Sequence, residues 1–295
     1  MTLEREAAGQ IRIGISGWRY KGWRGVFYPE RLPQRRELEF AASIFPSIEI
    51  NGTFYSLQKP EFFRRWVAET PDDFVFAVKG GRFITHMRKL LAIDTAVANF
   101  FASGVLALGR KIGPILWQFP PRMKFDPVRF DAFFRMLPRT TVEAAKLARG
   151  CDDRVLSRSC LEAEVDVPLR HAVEIRDQTF VCPEFIALLR SHAIGLVVAD
   201  TVEWPLLMDV TADFVYVRLH GSQQLYASGY EAEDIELWAR RVEAFARGGR
   251  AEGAYASSVL AESRARDVYV YFDNDAKVRA PFDAQALQKR LGLVV

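Results

Sequence analysis

The 295-residue chain is 49% hydrophobic and 26% charged, the balance of a folded globular protein rather than a disordered or fibrous one. Its net charge of +3 is too small to argue by itself for a nucleic-acid partner, and no apolar stretch reaches the roughly 18 residues that a membrane-spanning helix needs. Three cysteines, Cys151, Cys160 and Cys182, lie in no CxxC pair and argue against a disulfide framework, so a reducing cytoplasm is the expected setting.

The first ten residues, MTLEREAAGQ, are polar, lack a signal-peptide core and read as an N-terminal extension to one domain over residues 11–293. The first apolar run, IRIGIS, ends at Ser16 and leads into a loop carrying Trp18, Tyr20, Trp23, Phe27 and Tyr28. A helix is predicted over Arg35 to Phe45. The second run, SIEIN, carries Glu49 and Asn51, and Pro60 then opens a helix reaching Glu69. FVFAVK ends at Lys79, followed by the basic stretch RFITHMRK and by 3.6-residue apolar spacing from Ile93 to Leu108. PILWQ ends at Gln118, and a helix is predicted over Pro127 to Leu137.

Residues 140–170 read as an insertion with extra helical pattern around Val142 to Ala148. HAVEIR follows with Glu174 and Arg176, then a helix from Pro183 to His192, then GLVVAD ending at Asp200. The connection from Asp200 to Asp213 is too short for a full helix, so a reduced sixth crossover is expected. VYVRLH ends at Arg218 and His220, the next loop holds Tyr226 and Tyr230, and Glu231 to Ala246 is strongly periodic. Residues 248–266, rich in Gly, Ala, Ser and Arg, read as a flexible loop. VYVYFD closes the set at Asp273 with Asn274 beyond it, and a last helix is predicted over Ala284 to Leu291.

Eight apolar runs alternating with helical patterns predict a parallel sheet with crossover helices. Strands buried on both faces should be apolar throughout, yet each run breaks into a polar or charged residue at its C-terminal end. In a single-domain (β/α)8 TIM barrel those ends share the rim where active sites sit. Side-chain alternation supports this placement. Tyr216, Arg218 and His220 share one face of their run, as do Ala172, Glu174 and Arg176; Ser47, Glu49 and Asn51; and Tyr269, Tyr271 and Asp273. A barrel mouth can hold that many charges where a sandwich interior cannot.

The mouth then carries the anions Glu49, Glu174, Asp200 and Asp273 against the cations Lys79, Arg176 and Arg218, with His220 titratable. A structural ion network is the bland account of this balance. Paired carboxylates near cations also suit acid–base chemistry, and arginines can fork onto a carboxylate or phosphate. Lys79 can serve as a point charge or, desolvated beside other cations, as a Schiff-base nucleophile. His220 is a candidate proton shuttle or a satisfied structural donor. The carboxylates and His220 resemble a divalent-metal ligand set, but the cations already balance them and no HxH, HxxE or HExxH spacing is present. A metal is therefore not favoured, and the cofactor is unassigned. Glycine patterns for a nucleotide cradle are absent. Aromatics interleaved with basic groups in the first loop, in residues 82–89, and at Tyr226 and Tyr230 can hold sugars, bases or phosphates, or simply plug the barrel top.

GISGWRYKGWRGVFYPERLP, EINGTFYSLQKPEFFRRWVAETPDDFVFAVKGGRFITHMRKL, GPILWQFPP, HAVEIRDQTF, ADFVYVRLHG with the later YASGY, and VYVYFDND together resemble the YecE-like family, domain of unknown function 72. The resemblance implies a TIM barrel from about Ile11 to Leu293 and leaves the reaction open. It matches motif positions at Gly17, Trp18, Trp23, Phe27, Tyr28 and Pro29; Glu49, Asn51, Thr53, Phe54 and Tyr55; and Lys79, Arg82, Thr85 and His86. It continues at Gln118, Phe119 and Pro120, Glu174 and Arg176, Asp200, and Arg218, His220 and Gly221. Two departures stand out: Asp177, Gln178, Thr179 and Phe180 replace the family's usual His-Pro-Ser-Trp, and Asp273 and Asn274 replace Asn-Asn.

The expectation is an enzyme binding a small polar, anionic or sugar-like molecule. Glu49, Glu174, His220, Lys79, Asp200 and Asp273 are its catalytic candidates. Ser16, Trp18, Tyr20, Trp23, Asn51, Tyr55, Arg82, His86, Gln118, Arg176, Arg218, Tyr226, Tyr230 and Asn274 are the binding candidates. Metal-dependent DNA phosphodiester or abasic-site cleavage and a non-catalytic ligand-binding barrel are the alternatives.

Overall fold

A computed structural model describes residues 8–221 and 228–293. The eight strands are β1 (Ile11–Ser16), β2 (Ser47–Ile50), β3 (Val75–Lys79), β4 (Ile112–Gln118), β5 (His171–Glu174), β6 (Gly195–Asp200), β7 (Phe214–Leu219) and β8 (Asp267–Phe272). All pair in parallel in chain order, and β8 pairs with β1 to close the barrel. The expected (β/α)8 architecture therefore holds.

Inside the barrel sit Ala77, Leu116, Ala172, Val197, Ala199, Phe214, Tyr216, Tyr269 and Tyr271. The branched neighbours on the opposite strand faces, such as Ile48, Val173, Val217 and Val270, join the larger layer under the helices. Side-chain alternation thus divides each run between two cores. The registers Ser16↔Glu49 and Gln118↔Glu174 bring polar strand ends to one level.

The predicted helix over Ile93 to Leu108 is broken in two. Asp94–Ala102 is α-helical and Val105–Lys111 is a 3-10 segment, with Gly104 at φ 120° between them. A Cβ at Gly104 would stand 2.6 Å from the Pro60 Cα, so close approach of the helix Pro60–Ala68 makes the break. The first predicted helix shortens to a 3-10 turn, Gln34–Arg36, running into Glu37–Ala42. The last extends to Ala280–Arg290, with Pro281 in its first turn.

Residues 201–213 contain no helix, as expected for a reduced sixth crossover. The insertion before β5 forms the helix Thr141–Ala148 and a single turn, Asp153–Leu156. Asn99 and Asp152 tie it to the helix Asp94–Ala102: Asn99 Nδ2 donates to Asp152 Oδ1 at 3.1 Å, and the Asp152 N–H donates to Asn99 Oδ1 at 3.0 Å. Residues 248–266 are irregular but well tied. The Asp209 carboxylate accepts from the N–H groups of Ala256 and Ser257 at 2.7 and 3.2 Å. Among the described residues no helix is long and apolar enough to cross a membrane.

Candidate active site at the barrel mouth

Arg218, wholly buried on β7, gathers carboxylates from β2, from β5 and from the residue just beyond β8. Its Nε donates to Glu49 Oε2 at 3.0 Å and its Nη2 to Glu49 Oε1 at 2.8 Å. Nη1 donates to Glu174 Oε2 at 2.6 Å, and Nη2 also reaches Asp273 Oδ2 at 2.8 Å. Glu49 further accepts from the Tyr216 hydroxyl at 2.6 Å and from the Ser16 hydroxyl. Glu174 accepts from Gln118 Nε2 at 2.7 Å and from Arg176 Nε at 3.0 Å. The His220 ring lies between two of these carboxylates, with Nδ1 3.2 Å from Asp273 and Nε2 3.8 Å from Glu174.

Charge neutrality makes this burial tolerable. Burial opposes the Arg218 charge, but Asp273, Glu49 and Glu174 outweigh it and push the guanidinium pKa still higher. Burial likewise works against ionised Glu174, yet Arg218, Arg176, His220 and Lys79 hold it well below the usual carboxylate range. Asp273 is depressed in the same way, chiefly by Arg218 acting against burial.

Above this ion layer opens a cavity of about 1030 Å³. Of the sequence candidates it is lined by Trp18, Tyr20, Asn51, Tyr55, Lys79, Arg82, His86, Gln118, Arg176 and Asp273. Thr53, at the turn after β2, holds the Lys79 segment by donating its hydroxyl to the Lys79 carbonyl at 2.6 Å. The Lys79 ammonium lies 4.7 Å from the centre of the Phe54 ring. Arg176 stacks on Trp204 at 3.6 Å, and Arg82 lies over Tyr55 at 5.6 Å. His86 is turned edge-on to Phe54, and its Nδ1 is 2.9 Å from the Thr85 hydroxyl. Burial, followed by the charges of Arg176 and Lys79, pulls the His86 pKa down to about 4, so its ring is neutral at pH 7.

Other candidates stand elsewhere. Ser16, Glu49, Glu174, Arg218 and His220 form the floor beneath the cavity rather than its lining. Asp200 leaves the set: Val197 and Ala199 take the inward positions of β6, so Asp200 turns outward, where its carboxylate accepts from Trp238 Nε1 at 2.9 Å. Burial raises its pKa there. Tyr230 packs edge-on against Phe272 in the same outer layer, with its hydroxyl accepting from the Gly221 N–H at 3.1 Å. Asn274 Nδ2 donates to Asp283 at 2.7 Å, fastening β8 to the last helix. Trp23 is fully buried against Tyr20, Phe27 and Tyr28 and supports the first loop. Tyr226 lies outside the described residues.

Among the described residues, no three His, Cys, Asp or Glu side chains form a group that could hold a metal ion. The carboxylate oxygens of the floor point at arginines instead.

Arg19 of the first loop also lines the cavity, and so does Asp275, which the sequence pattern does not single out. Only the spacing of Asp275 two residues beyond Asp273 hinted at it, and strand alternation lapses once β8 ends at Phe272. Burial and the neighbouring Asp273 raise the Asp275 pKa to about 6. An unfolded Asp titrates near 3.9, so the native state binds the extra proton between those values and the protein loses stability as pH rises through them. Asp275→Asn should therefore be more stable than wild type at pH 8 by about 1–2 kcal/mol after allowance for solvent screening. The gain should fade as pH falls towards 4. Melting temperatures at the two pH values check this, and an equal gain at both would refute it.

The family model described as "Protein of unknown function DUF72" matches residues 12–294. The chain is 33% identical over 116 residues to the UPF0759 protein YunF of Bacillus subtilis, covering 38% of this chain and 40% of YunF. It is 29% identical over 188 residues to the UPF0759 protein YecE of Escherichia coli K12, covering 57% of this chain and 65% of YecE. The matched segments thus span less than two thirds of either relative. A DUF72 family protein from Thermotoga maritima superposes with a TM-score of 0.70 at 24% identity, over 96% of this chain and 99% of that one. One from Enterococcus faecalis gives 0.68 at 18%, over 97% of each chain. These structural likenesses carry the fold.

Proposed function

This chain belongs to the DUF72 family, and from that premise we propose that it is an enzyme that holds a small anionic substrate at the barrel mouth and works on it by acid–base chemistry. The observation carrying this reading is the division of the cavity wall. Arg82 and Arg176 supply positive charge and Lys79 an amine, while Asp273, Asp275 and Tyr20 supply carboxylates and a hydroxyl. Arg176 is the principal anion contact: Glu174 and the Trp204 face fix its plane, and a planar guanidinium suits a carboxylate or phosphate. Asp275, with its pKa near 6, is suited to give and take a proton around neutral pH. Glu49 and Glu174, both saturated by the floor, act as positioning residues.

The nucleic-acid alternative has less support. Its groove would use Arg19, Arg24, Arg82 and Arg88, but Arg24 is paired with Glu37 at 2.7 Å and Arg88 donates to the Leu91 carbonyl at 3.0 Å. Of these four, Arg19 and Arg82 line the cavity.

Isothermal titration with inorganic phosphate and ribose 5-phosphate tests the anion site. Losing a charge-assisted contact of about 1.5–3 kcal/mol should weaken binding about 10- to 100-fold in Arg176→Met. Unaltered affinity in that variant, or no binding to wild type, would remove the basis for the reading.

A further inference from the structure

We propose that Lys79 is a covalent catalyst that forms an imine with the carbonyl group of its substrate, a small aldehyde or ketone that also carries a carboxylate or phosphate. The inference rests on the anion-site reading above and adds the reacting group to it.

Three structural observations support it. Lys79 lies at the end of β3 and lines the cavity, yet only 8% of the residue is exposed. Every nearby carboxylate of the floor is engaged by arginine, whereas the Lys79 ammonium has no carboxylate of the described residues within ion-pair distance. Among the described residues its close contact is the face of Phe54. A purely structural lysine at this depth should be satisfied, as Lys111 is by the carbonyls of Val67 and Thr70 at 2.8 Å each. Finally, the cavity that Lys79 faces also holds Arg176 and Arg82 for an anionic group and Asp275 and Tyr20 for proton transfer.

Electrostatics favour the reactive form. Burial, then the Arg218 charge, lower the Lys79 pKa, and Asp273, Glu49 and Glu174 only partly oppose this. A desolvated amine beside another cation is a better nucleophile at neutral pH.

The step balances without a redox partner. The neutral amine adds its lone pair to the carbonyl carbon, and the carbonyl oxygen ends as the hydroxyl of a carbinolamine after one proton passes from nitrogen to oxygen. Protonated Asp275 then supplies a proton to that hydroxyl. The C–O bond breaks, water leaves, and the nitrogen lone pair forms the C=N bond of a protonated imine. This cation can accept electrons from a bond adjacent to the former carbonyl carbon.

Borohydride trapping on the full chain tests the assignment. Wild-type protein is incubated separately with glyoxylate, pyruvate and dihydroxyacetone phosphate, reduced with sodium cyanoborohydride, and examined by intact mass and peptide mapping. The expected result is one adduct per chain at Lys79, with the mass of the probe less one oxygen atom, suppressed by excess inorganic phosphate. Lys79→Met and Lys79→Arg, shown to be folded by circular dichroism, should lose it.

Labelling spread over surface lysines, or no adduct at Lys79 with any probe, overturns the imine. Titration of dihydroxyacetone phosphate into wild type and Arg176→Met separates the two ideas. Arg176-dependent binding without an adduct rejects the imine and keeps the anion site, whereas absence of both rejects the two together.

Discussion

Arg218→Met is expected to cost about 3–5 kcal/mol of folding stability, because it leaves charges buried without their partner. Glu49 and Glu174 are both wholly inaccessible, and Arg218 supplies hydrogen bonds to each as well as to Asp273. Gln118 and Arg176 would still serve Glu174, and Tyr216 and Ser16 would still serve Glu49, so the loss should stop short of an isolated-ion penalty. Urea denaturation gives the magnitude. The pH dependence gives the cause. In wild type the depressed Glu174 pKa stabilises the fold above the unfolded carboxylate range, and that contribution fades as pH falls through the folded value. Without Arg218 the Glu174 carboxyl loses the largest charge that holds its pKa down, so the variant should lose less stability than wild type as pH falls through the carboxylate range. A loss below about 1 kcal/mol, typical of exposed pairs, would mean that the ion layer does not hold the mouth together.

Gly14→Ala should also be severely destabilising, by about 3 kcal/mol or more, as an overpacked site that backbone must relieve. Gly14 pairs with Ser47 between β1 and β2. A Cβ on it would lie 1.9 Å from the Ser47 carbonyl oxygen and 2.8 Å from its carbon. No rotamer change relieves a clash with backbone, so the two strands must part. Ser16 and Glu49 stand at the top of that pairing, and phosphate binding should weaken together with stability. A variant with wild-type denaturation midpoint and phosphate affinity would refute this account.

The barrel was legible because burial on both faces demands apolar runs, and polar residues can interrupt them only where the strands emerge. Alternation then brought Glu49, Glu174, Arg218 and Asp273 to one end, where Ser16 joins them as the polar end of its own run. Position at the end of an apolar run misleads at Asp200, because small and apolar Val197 and Ala199 carry no signature distinguishing the barrel interior from the helix-facing side. Depth was also hidden. Sequence spacing cannot show that Arg218 engages both Glu49 and Glu174, or that Lys79 meets an aromatic face rather than a carboxylate. Asp275 and Trp204 belong to loops beyond the strand ends, where no periodicity assigns a direction.

The fourfold grip of Arg218 has a consequence for how the chain reaches its native state. Its partners lie far along the sequence: Glu49 is 169 residues away, Asp273 55 and Glu174 44. Loop-closure entropy opposes such contacts until the intervening strands have paired. The ion layer is therefore a late-forming clasp. Interactions made after the folding barrier slow unfolding more than they hasten folding, so the side chain that organises the mouth contributes mainly to the lifetime of the closed barrel.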